Sequence, residues 1–270
     1  MAANQTFQLE ETVGWRMGMR NLMRKESGEW LHTRRWWVQL LLWTALINGL
    51  LFLVTVAVPQ AAKMAGQSMA EGEVFSMGTQ VLFGIASMGI GIGVVILTQD
   101  EIISEKTSGT AAWVLSKPAS RVSFYLSKLT VNGFSALIFM IVIPFIFAFI
   151  QLFRINPEMN LGGFLAALGV LILHTFFYLS LSLLIGVFSE KRSLVLSITL
   201  GVLFGGQVLM NFIKELLYFT PIGLANIMTA MVSEGVPSIP AMLWLPVGLT
   251  LFYGLIFVVL SLWRIQKLEF

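Results

Sequence analysis

The sequence predicts an all-α protein that crosses a membrane six times. Three observations lead there. Of its 270 residues, 57% are hydrophobic and 11% are charged, against roughly 25% charged in an average soluble domain. The charges cluster, leaving charge-free windows at 36–62, 74–99, 129–153, 159–189, 193–213 and 235–263, each of 21 residues or more. About 20 apolar residues in a helix cross the hydrocarbon of a bilayer. The basic residues, finally, sort to one side of the spans so defined.

The elements follow in chain order within one expected permease-sized unit, 1–270. The first segment, 1–36, opens without a basic-then-apolar signal pattern and is expected to stay on the side where it is made. Trp15, Met19, Leu22 and Met23 share one face at helical spacing, and Arg16, Arg20 and Arg24 run beside it. Such a helix lies on an anionic membrane surface; a plain solvated helix is the alternative. Trp30, Trp36 and Trp37 with Arg34 and Arg35 mark the boundary of the first span.

The six spans are read at 37–58, 75–97, 129–153, 164–188, 194–212 and 243–263. With both termini cytoplasmic, 14 of the 17 basic residues lie inside, and only Lys63, Arg154 and Lys214 lie outside. A further window at 216–233 would move Arg264 and Lys267 outside if it crossed, weakening the bias from 14 against 3 to 12 against 5. It also contains Thr220-Pro221-Ile222-Gly223, which interrupts a helix. The segment 213–242 is therefore expected to re-enter the outer leaflet as short packed helices.

Between the second and third spans lies a polar island, 98–128. Asp100, Glu101, Glu105, Lys106, Lys117 and Arg121 fall within it. Each charge would cost about 2.5–3.5 kcal/mol near a bilayer centre, so the segment faces water or protein. Gly109 permits a turn that a Cβ would strain, and Pro118 stops one helix and orients the next. Trp113 and Leu115 are candidate anchors for a partner. A long solvated loop is the plainer reading, and the residues alone leave both open.

The stretch "DEIISEKTSGTAAWVLSKPASRVSFYLSKL" resembles the loop after the second span of type-2 ABC transporter permeases. Glu105, Gly109, Thr110, Leu115, Ser116, Pro118, Ser120, Arg121 and Lys128 fit that pattern; Ser127 stands where a glycine is usual and Val114 where leucine is common. The general flavour is that of permeases encoded with multicopper-enzyme maturation systems. The resemblance implies a coupling helix seated on a separate ATPase subunit. Glu101, Glu105, Gly109, Thr110, Trp113, Leu115, Pro118, Arg121 and Lys128 then become coupling residues, with Glu105 bonding the partner. It implies ATP and Mg on that partner and no cofactor or metal on this chain. It also implies a second permease copy or paralogue, lipid as surroundings, and a multi-pass plasma-membrane exporter of a prokaryotic cell. An ATP-independent channel or scaffold subunit is the rival.

Several chemistries lack their residues. With no cysteine, thiol and disulfide chemistry is excluded. A phosphate-binding loop needs G-x-x-x-x-G-K-[ST], and Lys106-Thr107 follows Glu105 instead. His32 and His174 form no H-E-x-x-H zinc site. The net charge of +3 does not suggest nucleic acid. No Asp, Glu, Lys or Arg falls in a span core, which disfavours a proton-coupled carrier. Asn48 and His174 are the intramembrane polar groups singled out, open to substrate contact or to bonding between helices. Glycines in Gly89–Gly93 and Gly201–Gly206 allow close helix approach, within the chain or between copies.

Single cysteines placed in this cysteine-free chain test the arrangement. With an impermeant thiol reagent on intact cells, cysteines at Gly66 and Pro237 are expected to label and one at Ser108 is not. A tag after Phe270 is expected to report the cytoplasm. Labelling at Ser108 would invert the topology.

Overall fold

Hydrocarbon offers no partners to backbone polar groups, so a chain this apolar satisfies them inside helices. All regular structure among the described residues is helical. The structure is a computed structural model and describes residues 14–268 apart from 211 and 214. The first 13 residues of the expected N-terminal segment, Lys214 and Phe270 lie outside the described residues.

A short helix, α1 (Met19–Leu31), precedes the first span. The spans are α2 (Arg35–Met64), α3 (Glu71–Thr98), and, after two short helices, α6 (Arg121–Ile155). They continue with α7 (Leu161–Phe188), α8 (Arg192–Met210) and, after the broken segment, α11 (Trp244–Gln266). The short helices of the island are α4 (Ile103–Thr107) and α5 (Thr110–Leu115). Six helices are thus long and apolar enough to cross a membrane.

The third span departs from its expected start. Its helix begins at Arg121, eight residues before 129, because Ser120 caps it. The Ser120 hydroxyl accepts from the Ser123 backbone N–H at 2.9 Å, which satisfies one of the orphan donors of a helix start. The end of the island is therefore the first turns of a span. The N-terminal helix also differs from a helix lying only on lipid. Leu22, Glu26 and Trp30 form its buried face, packed on the start of α6. The Trp30 indole N–H donates to Asn132 Oδ1 at 2.9 Å. Arg16, Arg20 and Arg24 stay exposed on the other side.

The window 216–233 folds as α9 (Leu216–Phe219), a 3-10 turn at Pro221–Gly223, and α10 (Leu224–Ser233). Thr220 is extended, at φ −124° and ψ 155°, the conformation favoured before proline. At 10 residues, α10 is about 15 Å long and cannot cross a bilayer. It packs instead against α7 and α3. The end of the bundle where it lies is called the hairpin end below, and the opposite end the island end.

Glycines set how closely these helices approach. A Cβ on Gly93 would lie 2.3 Å from Trp43 Cζ2, so the Gly89–Gly93 run brings α3 onto α2. Gly91 faces the other way, toward His174 and Tyr178 of α7. Gly201 and Gly205 of α8 face open space. At the hairpin end, Phe83, Phe145 and Phe164 of three spans meet with ring centroids 5.9–6.4 Å apart. Two π turns interrupt spans, at Leu53–Ala57 in α2 and Leu137–Val142 in α6. Each precedes a proline, Pro59 or Pro144, whose missing N–H and ring bulk disturb the preceding turn.

The tightest approach joins α7 to α10: a Cβ on Gly163 would stand 2.1 Å from the Met231 carbonyl oxygen. Backbone cannot yield as a side chain does. Gly163→Val is expected to lose about 1–3 kcal/mol or more, read as a lower thermal midpoint of the detergent-purified protein. Gly169→Ala on the same helix meets nothing within 4 Å and is expected to leave that midpoint unchanged or raised.

Candidate coupling site

At the island end the sequence places charges that must be neutralised or hydrated. The helix α1 brings Lys25, Glu26 and Glu29, α2 brings Arg35, the island brings Glu101 and Glu105, and α6 brings Lys128. Folding gathers all seven. Lys128 Nζ lies 2.8 Å from Glu105 Oε1, 3.1 Å from Glu26 Oε1 and 3.6 Å from Glu101 Oε2, with its side chain 1% exposed. Arg35 Nη1 donates to Glu101 Oε1 at 2.9 Å. Lys25 bonds Glu105 and stands 3.4 Å from Glu26 and 3.5 Å from Glu29.

Four carboxylates thus share three cations, leaving one excess negative charge. Burial pushes the Glu26 carboxyl above its ordinary value, against the opposing pull of Lys128 and Lys25. Burial alone would lower the Lys25 ammonium, but its bond to Glu105 and the nearby carboxylates hold it raised. Ligand oxygens of Glu26, Glu29 and Glu105 lie within 4.8 Å of one another, a spacing that a metal ion could use. Lys25 already bridges these same three groups.

The island is fastened at other points too. Lys106 Nζ donates to the carbonyls of Val187 at 3.2 Å and Ser189 at 2.9 Å, so a cation caps the C-terminal end of α7. Arg121 Nη1 donates to the Gln266 carbonyl at 2.7 Å, at the end of α11. Thr98 Oγ1 donates to Ser182 Oγ at 2.9 Å between α3 and α7.

The sequence-predicted residues therefore divide. Glu101, Glu105 and Lys128 were expected to face a partner; they turn inward and pair within the chain, because their counter-charges on α1, α2 and α6 lie closer than any solvent. Gly109 adopts φ 72° and starts α5, and the Thr110 hydroxyl lies 2.8 Å from Ser108 Oγ. Helix α5 buries Ala111 and Val114 and half-buries Leu115. It exposes Trp113, 62% accessible, with Lys117 Nζ 3.4 Å above its ring. Pro118 is exposed beside it. Glu26 and Trp30 were missed. Their signal was a carboxylate on the Leu22–Trp30 stripe of an otherwise basic helix.

The two intramembrane groups lie apart from the island. The Asn48 amide donates to the carbonyls of Thr44 at 2.9 Å and Pro144 at 3.1 Å and accepts from Gln151 Nε2 at 2.8 Å. It joins α2 to α6. His174 is buried, 4.9 Å from the Tyr178 ring, and its Nδ1 has no partner among the described residues.

Six apolar spans, a basic leading helix and an island carrying an exposed short helix form the frame of a transporter membrane subunit. The sequence model described as ABC-2 family transporter protein matches residues 36–263. The chain belongs to that family, and its class is the membrane permease component of an ABC transporter. No curated protein matches the chain.

The cluster makes a testable claim on stability. Lys128→Ala strands three buried carboxylates and is expected to lose about 3–5 kcal/mol, seen as a lower thermal midpoint in detergent. Glu26→Gln removes the excess charge and keeps the shape, so it is expected to lose much less. Equal losses would show that the ion network does not order this end.

Proposed function

We propose that the chain is the membrane-spanning subunit of an ABC exporter, driven by ATP and Mg bound to a separate ATPase subunit and paired with a second permease copy or paralogue. In this reading the island end is cytoplasmic, as the basic bias favours. The observation that carries the proposal is Trp113. A tryptophan standing out from a polar surface, with a lysine over its ring, is a poor residue for water and a good anchor for protein. Helix α5 is also the part of the island left free to be met by another chain, since its neighbours are paired to α1, α7 and α11.

The ATPase would grip α5 by Trp113, Lys117 and the Gly109–Thr110 turn. Closure of the ATPases would push α5, and the ion pairs of Glu101, Glu105 and Lys128 would pass that push to α1 and α6 as a rigid-body movement. Glu105 is then the footing of the lever, inside the chain.

Co-purification and ATPase assays separate grip from footing. Trp113→Ala is expected to weaken partner capture by roughly thirtyfold or more, the loss of a hot spot worth about 2 kcal/mol. Glu105→Gln is expected to keep capture and lower transport-coupled hydrolysis. Wild-type capture and hydrolysis in Trp113→Ala would sink the coupling role of α5.

A further inference from the structure

Helices that face lipid turn apolar residues outward, and α11 does so with Leu251, Phe252, Leu255 and Val259 exposed. Helix α10 does the reverse. Leu224, Ile227, Met228, Met231 and Val232 are buried, while Asn226 and Ser233 are exposed and Thr229 is half-buried on its open face. Helix α3 offers the same space a matching stripe, Ser76, Gln80 and Gly84, spaced by four residues. Between them runs a groove of about 530 Å³ lined by these six residues, with Glu234 at its edge.

Depth decides what this means. The last charge in the first turn of α3 is Glu73, and Gly84 follows 11 residues later. At 1.5 Å per residue that is about 16 Å along the helix, roughly half of a hydrocarbon core about 30 Å thick. The amides of Gln80 and Asn226 would go unsatisfied against lipid tails. Polar residues on a membrane-embedded face mark water or a solute path.

We infer that this groove is a water-filled stretch of the transport path at the hairpin end and binds a polar solute, uncharged or cationic. Amide and hydroxyl groups supply both donors and acceptors. Among the described residues that line it, the charged one is Glu234, so nothing there favours an anion. The inference rests on the permease reading for the word transport, while the groove's hydration is measured without the ATPase.

The test uses the full chain in lipid nanodiscs, where both faces are open to solvent. Cysteines replace Gln80, Gly84 and Asn226 one at a time, and a cationic, impermeant methanethiosulfonate is added. A Cβ at Gly84 meets nothing within 4 Å, so that variant is expected to fold. Modification is expected to be at least about tenfold faster at all three sites than at Leu255→Cys on the lipid face, because the reagent needs a hydrated thiolate. Rates at Gln80→Cys and Gly84→Cys no higher than at Leu255→Cys would overturn the inference. So would fast modification confined to Ser76→Cys, which would mark a ledge at headgroup level. An anionic methanethiosulfonate reacting as fast as the cationic one at Gln80→Cys would overturn the assigned charge preference. Slow labelling with intact partner capture would remove the groove alone; lost capture in Trp113→Ala says nothing of the groove.

Discussion

The arrangement of the island end depends on one buried ammonium. Lys128 sits on a helix that continues into the membrane, with its side chain 1% exposed. Desolvating an ion costs several kcal/mol unless partners are placed to receive it. Those partners arrive from the island and from α1, with Arg35 of α2 paired in turn to Glu101. Such a network adds little net stability, but it is strict about geometry, since any displaced member leaves a charge uncompensated. It therefore holds α1, α2, the island and α6 in one arrangement.

The two ends of the bundle are held by different forces. At the hairpin end, phenylalanine rings and the Gly163–Met231 approach depend on close packing, which weakens steeply with small gaps. At the island end the attraction is between charges and reaches farther. A push on the island can be shared among several helices before any pair breaks, whereas the packed end answers to shifts of a fraction of an ångström. The fold thus joins a cohesive end to an exacting one.

The spans were legible because charge-free windows of 21 residues or more leave a helix few alternatives. Pro221 likewise announced the break in 216–233. The charge partners were not legible. Glu105 looks the same in sequence whether it meets a lysine of its own chain or another protein, and only the packing of α1 decides. Glu26 carried a readable hint, four residues from both Leu22 and Trp30. The polar face of α10 was hidden for another reason: a window of high average hydrophobicity does not say which side its few polar residues occupy. Trp113 was readable as an anchor, since the sequence around it offers no apolar surface to cover it.

The π turns have a consequence for angular phase. An α-helix advances about 100° per residue, so positions four apart drift by about 40° each step. Yet Lys128, Asn132, Ala136, Met140, Pro144, Ala148 and Leu152 are all buried, at an unbroken spacing of four along α6. The wider turn at Leu137–Val142 absorbs part of that drift by taking in an extra residue. In α2, Trp43, Ile47, Leu51 and Thr55 keep the same beat into the turn at Leu53–Ala57. A seam four residues in period thereby connects the ionic end of one rod to its apolar end without rotating off the core.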